Sequence, residues 1–197
     1  MIAIVDYGAG NISSVKKALE HVAPETQIQV TNDPKVAAGA DKLVMPGVGH
    51  FCRCDGLHGN LGDAVLEAIS HGIPFLGICV GMQWLFEGST EAPQTPGAAL
   101  FPGQCSKFPP DVKSPHVGWN RISLRHDSRL LRGIEDGAFV YYTHSFRAPV
   151  VEQTSACTRY GGSFSAAVER DNVFGAQFHP EKSGPAGLRI LENFCDL

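Results

Sequence analysis

The chain has 197 residues, 43% of them hydrophobic and 18% charged, with a formal net charge of −4 and no run of basic residues. That is length and apolar content enough for one sizeable core, and the mild acidity excludes nucleic acid or an anionic membrane surface as an expected partner. No apolar stretch approaches the ~20 residues that a bilayer crossing needs, and residues 2–5 begin at once as a strand rather than as a leader, so a cytoplasmic location is expected.

Residues 2–6 are a strand, apolar through Val5, leading into the loop Asp6-Tyr7-Gly8-Ala9-Gly10-Asn11 and a helix from Asn11 to about His21 with Val15, Ala18 and Leu19 inward. Short strands are expected at 27–31 and 43–45. A helix over 61–69 follows the spacing of Leu61, Val65, Leu66 and Ile69 and closes at Gly72. The strand 73–78 then runs through Cys79 into a helix that reaches Phe86. This alternation predicts an α/β, flavodoxin-like fold with a mostly parallel sheet covered on both faces. Residues 92–115 are rich in Pro and Gly and lack helical spacing. Strands at 117–124, 139–142, 155–160, 163–169 and 173–178 read as antiparallel additions, and a last helix spans 186–194. Nothing resembling a repeat or linker divides residues 1–197, so a single domain is expected. In open α/β sheets ligands bind at the carboxyl ends of the strands, and Gly47, Cys79 and His179 all follow strands there.

The most informative segment is Gly77-Ile78-Cys79-Val80-Gly81. A strand that bends sharply into a helix pushes the side chain at the bend out of the sheet, and small residues two before and two after allow the bend. This is the cysteine form of a nucleophile elbow. The amide of Val80 would then point where an oxyanion forms, and the helix start favours a thiolate. A buried structural cysteine is the competing reading. The segment Phe178-His179-Pro180-Glu181 decides between them. Pro180 biases His179 toward extended backbone, residues two apart in an extended chain project to the same side, and Glu181 can therefore hold one ring nitrogen while the other serves the thiol. Metal chemistry is disfavoured, since no H-E-x-x-H or paired Cys/His spacing is present. Cys52-Arg53-Cys54 lacks the C-x-x-C spacing of a redox pair. The loop Pro46-Gly47-Val48-Gly49 can present backbone N–H groups to an anion beside the elbow, completing an oxyanion hole of Val80, Val48 and Gly49.

These two motifs resemble class I (triad) glutamine amidotransferases. Asp6-Tyr7-Gly8-Ala9-Gly10-Asn11, Pro46-Gly47-Val48-Gly49-His50-Phe51, Pro115-His116-Val117-Gly118-Trp119-Asn120 and Tyr142-Thr143-His144-Ser145-Phe146 narrow the resemblance to the glutaminase subunits of imidazole glycerol phosphate synthases. The resemblance implies glutamine hydrolysis by Cys79, His179 and Glu181 without a cofactor, and delivery of ammonia to a separate (β/α)8-barrel cyclase. It further implies glutamine binding by Gly47, Gln83, Glu87, His144, Ser145 and Phe146, with Gln83 and Glu87 on one helix face. Asn11, Trp119 and Lys182 are implied to face the partner, and the peptide near Val48 to turn before the hole is complete.

Two other readings stand against it. A free-standing cysteine hydrolase would share the elbow but would not need Pro115-His116-Val117-Gly118-Trp119-Asn120. A nucleotide module would use Gly8-Ala9-Gly10 with Asp33 after the second strand, but Ser13 occupies the third glycine position of that fingerprint.

Overall fold

The computed structural model describes residues 1–197. Its first half is built from strand–helix units: β1 (Ile2–Val5), α1 (Ile12–Val22), β2 (Ile28–Thr31), α2 (Pro34–Ala38), β3 (Lys42–Met45), α3 (Asn60–Ser70), β4 (Phe75–Ile78) and α4 (Val80–Trp84). The strands pair in parallel in the order β2-β1-β3-β4. Every residue of β1 and β4 is buried, as strands sealed on both faces must be. α1 turns Val15, Ala18 and Leu19 inward and packs against the last helix, α5 (Gly184–Cys195). α2 packs against α3.

The second half contributes β5 (Gly88–Ser89), β6 (Gln104–Lys107), β7 (His116–Arg121), β8 (Ser123–Leu124), β9 (Phe139–His144), β10 (Phe146–Arg147), β11 (Thr154–Arg159), β12 (Ser163–Arg170) and β13 (Val173–Ala176). β13 lies beside β4 and parallel to it, with Gly175 opposite Gly77 and Ala176 opposite Ile78. Antiparallel β12, β11 and β8 extend the sheet to eight strands, β2-β1-β3-β4-β13-β12-β11-β8.

Residues 173–178, expected to add antiparallel to the sheet, therefore supply its fifth parallel strand and end it at Ala176. A hairpin strand that is antiparallel to β12 on one edge is free to pair in parallel on the other, which periodicity does not reveal. Residues 117–124 and 139–142 also depart from expectation. β7 and β9 pair with each other as a separate ribbon, and only β8 reaches the main sheet. The elbow helix stops at Trp84, not Phe86. Two short elements were invisible to helical spacing: α2, capped by the Asp33 side chain accepting from the Lys35 amide at 2.9 Å, and a 3-10 helix over Phe51–Leu57.

Candidate active site

Cys79 stands at the junction of β4 and α4 with φ 55 and ψ −106. This left-handed conformation costs a non-glycine residue about 1–3 kcal/mol. The surrounding packing over-determines it. A Cβ at Gly77 would strike the backbone of Gly81, and one at Gly81 would strike the carbonyl of Met45 on β3, so only glycine permits the tight turn. The Cys79 amide donates to the carbonyl of Ala176 on β13 at 2.7 Å, fastening the elbow to the neighbouring strand.

That neighbouring strand delivers His179. Its ring is fully buried, and Nδ1 lies 2.8 Å from Glu181 Oε1, itself on a fully buried side chain. The ring and carboxylate meet across a single 3-10 turn, Pro180–Lys182, rather than along the extended chain expected from sequence. Ser183 locks the turn: its hydroxyl donates to the His179 carbonyl at 2.7 Å and accepts from the Tyr141 amide at 2.9 Å. Nε2 makes no hydrogen bond of ordinary geometry and is left on the side of the thiol. Burial opposes a charged ring most strongly. The charge of Cys79, foremost, together with the bond and charge of Glu181, outweighs that and brings His179 up from 6.5 to about 10. The arrangement can generate a nucleophilic sulfur and shuttle a proton.

The oxyanion hole expected from Val80, Val48 and Gly49 is not assembled. The Val80 amide donates to the Gly47 carbonyl at 3.3 Å, so that carbonyl occupies the direction an oxyanion would need. The Val48 carbonyl is in turn held by the Gly10 amide at 3.1 Å. The glycine loop 8–10 thus braces the loop at 47–49, and Asp33 caps a helix, leaving neither arranged to cradle a phosphate. No group of three or more His, Cys, Asp or Glu side chains converges as metal ligands would.

Cys79 opens into a small cavity of about 150 Å³ lined by Gly49, Val80, Gln83, Glu91, Pro115, Thr143, His144, Ser145 and Phe146. Four residues singled out for glutamine, Gln83, His144, Ser145 and Phe146, therefore do converge beside the thiol. Gly47 is buried outside the lining, against Val80, where a Cβ would collide with the Tyr7 hydroxyl. Glu87 does not converge. Because α4 ends at Trp84, Glu87 is exposed and leads into β5. Glu91 stands in the cavity instead, its carboxylate accepting from the Phe51 amide at 2.8 Å. Nothing in helical spacing marks Glu91, since a turn after β5 brings it in. A larger cleft of about 490 Å³, around Arg129 and Glu169, holds none of the residues singled out from sequence.

His144, in the cavity wall, and His116 form a neutral buried pair. His144 donates from Nδ1 to the Phe146 carbonyl (2.9 Å), His116 Nδ1 donates to His144 Nε2 (3.1 Å), and Asn120 Nδ2 donates to His116 Nε2 (3.2 Å). Burial pushes His116 down to about 4 and His144 to about 3. On the opposite face of the same ribbon, Val117, Trp119 and Phe139 are 57%, 54% and 50% exposed, an adjoining apolar surface of the kind that marks interaction sites. Trp119 rests edge-on against Tyr141, and Lys182 lies over that Tyr141 ring at 6.0 Å. Asn11, grouped with these from sequence, is half-buried, and its side-chain amide donates to Glu181 Oε1.

The family model described as glutamine amidotransferase class-I matches residues 3–197. A protein from Thermococcus kodakarensis, "Imidazole glycerol phosphate synthase subunit HisH", is 46% identical over all of both chains. The subunit of the same name from Deinococcus radiodurans is 46% identical over 98% of this chain and 92% of its own length. Among solved structures, a putative GMP synthase component from Thermoplasma acidophilum superposes with a TM-score of 0.73 at 22% identity, covering 99% of this chain and 92% of that one. A structure described as a glutamine amidotransferase superposes at 0.75 with 16% identity over 98% of each chain. These two likenesses are likenesses of fold.

Proposed function

The chain belongs to the class-I glutamine amidotransferase family, and on that premise we propose that it is the glutaminase subunit of an imidazole glycerol phosphate synthase in histidine biosynthesis. It hydrolyses glutamine to glutamate and ammonia, and residues 1–197 act as one domain. The observation that carries the reading is the buried His179, held by Glu181 at 2.8 Å on one nitrogen and turned to Cys79 with the other.

In this reading the Cys79 sulfur attacks the side-chain carboxamide carbon of glutamine. His179 protonates the departing nitrogen, ammonia leaves, and a γ-glutamyl thioester remains. His179 then takes a proton from water, which cleaves the thioester to glutamate and restores the thiol. Glu181 orients the ring and supports its charge. Val80, Val48 and Gly49 stabilise the oxyanion after the Gly47 carbonyl turns away from the Val80 amide. Gln83, His144, Ser145, Phe146 and Glu91 surround the amino-acid end of the substrate, Glu91 opposite its ammonium group. The small cavity suits a free amino acid better than the extended peptide of a protease.

The relatives' names make them subunits, and ammonia released into water would be protonated and lost, so a partner subunit receives it. We assign that partner as a (β/α)8-barrel cyclase, docked over Trp119 and Lys182 beside the triad turn, in the cytoplasm. The decisive experiment measures glutamate release from glutamine by the chain alone, then with a barrel cyclase and its ribotide ligand. Strong stimulation is the expected result. Vigorous hydrolysis unchanged by the cyclase would point to a free-standing hydrolase and overturn the assignment.

A further inference from the structure

Two buried amides outside the triad connect the cavity to the sulfur. Gln177, one residue past β13 and fully buried, directs Nε2 at Cys79 Sγ from 3.7 Å. Its Oε1 accepts from Gln83 Nε2 at 3.1 Å, and the same Gln83 nitrogen donates to the Phe146 carbonyl at 2.8 Å. The orientation of each amide is therefore determined. Gln83 faces two carbonyl-type oxygens, so it must offer its NH2 group to them, which leaves Oε1 as its acceptor for the cavity. Gln177 must accept with its oxygen, so the atom it turns to the sulfur is a donor. Had Gln177 the opposite orientation, its oxygen would meet a charged sulfur and repel it.

We propose that Gln177 is a positioning residue for the nucleophile: its amide N–H holds the Cys79 sulfur toward the cavity and donates to it when it carries charge, and Gln83 locks that amide in the donating orientation. The inference rests on Cys79 being the nucleophile. It adds a role for Gln83, which lines the cavity and directs its amide nitrogen at both the Phe146 carbonyl and Gln177, so that pocket and sulfur are joined through one pair of amides. The main chain of Gln177 is secured independently by donation to the Ala166 carbonyl at 2.9 Å, so its side chain can be altered without loosening the strand end.

The test uses Gln177→Met, which keeps the bulk and removes both amide groups, and Gln177→Glu, which keeps the acceptor for Gln83 and replaces the donor with oxygen. Glutamate release is followed across pH with and without the cyclase, and folding is checked by circular dichroism. Gln177→Met should lower kcat about tenfold with KM within about twofold, the signature of a contact that matters after binding. Gln177→Glu should lose more at neutral pH, and its optimum should move to lower pH, where a protonated carboxyl again donates. Folded variants with unchanged kcat and optimum would overturn the role. A fall in kcat with an unmoved optimum in Gln177→Glu would overturn it too, since that marks packing alone. If Gln177→Met does not fold, the pH profile of Gln177→Glu decides. Cys79→Ala is run alongside: glutamate release surviving there overturns the nucleophile itself, whereas its loss, with normal kinetics in both Gln177 variants, removes only the role of Gln177.

Discussion

Asn11 and His179 share one oxygen of Glu181: the Asn11 side-chain amide and His179 Nδ1 both donate to Oε1. Asn11 does so from a left-handed backbone, φ 78, at the start of α1, a conformation Asn tolerates better than other residues with a Cβ. The loop after β1 thus supports the triad carboxylate, and the surface beside it reaches the catalytic turn through one side chain. Asn11→Ala removes a donor from a buried carboxylate and should lower glutamate release about three- to tenfold. Glu181→Gln should cost more, and His179→Ala most of all. Steady-state kinetics of the three variants check the ranking; an unimpaired Asn11→Ala would separate Asn11 from the triad.

Cys79→Ala should abolish glutamine hydrolysis while the cyclase complex still makes product from added ammonia. The same variant tests the electrostatics. His179 is raised from 6.5 to about 10 against the opposing effect of burial, with the Cys79 charge the foremost raising cause. A raised folded value means stability fully present below about 6.5 and lost as pH climbs toward 10. In Cys79→Ala the His179 titration, followed by NMR, should fall, and the loss of stability between those pH values should shrink.

His116 and His144 carry the opposite sign. Both are held neutral by burial, at about 4 and about 3, so below 6.5 the unfolded chain takes up protons that the folded chain refuses. Stability should therefore drop as pH falls from 6.5 toward 4, by on the order of a few kcal/mol for the pair. Denaturant titrations of wild type and His116→Gln across that range should show a flatter acid limb in the variant.

Gly81→Ala should be among the most damaging conservative changes, because its Cβ, on the buried start of α4, would meet the Met45 carbonyl of the equally buried β3. A loss of about 3 kcal/mol or more is expected, read as a lower denaturation midpoint. An alanine tolerated there would mean that β3 can yield to the elbow and that the turn is not sterically closed.

What could be read from sequence follows the physics of each element. β1 and β4 are unbroken apolar runs, and the glycines at 77 and 81 announce a bend whose chemistry needs no neighbours to be recognised. Glu87 misled because spacing of four implies one helix face only while the helix continues, and α4 stops at Trp84. The roles of Glu91 and Gln177 are not legible in sequence for a related reason: one is carried in by a turn, the other is a polar residue just past the end of β13, and only tertiary placement reveals what each faces. The unassembled oxyanion loop was implied by the family resemblance, not by residue spacing, since a single hydrogen bond from Val80 to Gly47 decides its state.

β13 enters the sheet beside β4, yet the two strands come from opposite halves of the chain. A ribosome building this protein therefore exposes the cysteine elbow long before the histidine turn and its supporting carboxylate have left the exit tunnel. Until the last strand slots in against β4, the growing polypeptide holds a thiol with no base, and it cannot consume the cell's glutamine. Truncated products of interrupted synthesis would be inert for the same reason, so an unfinished chain releases no ammonia.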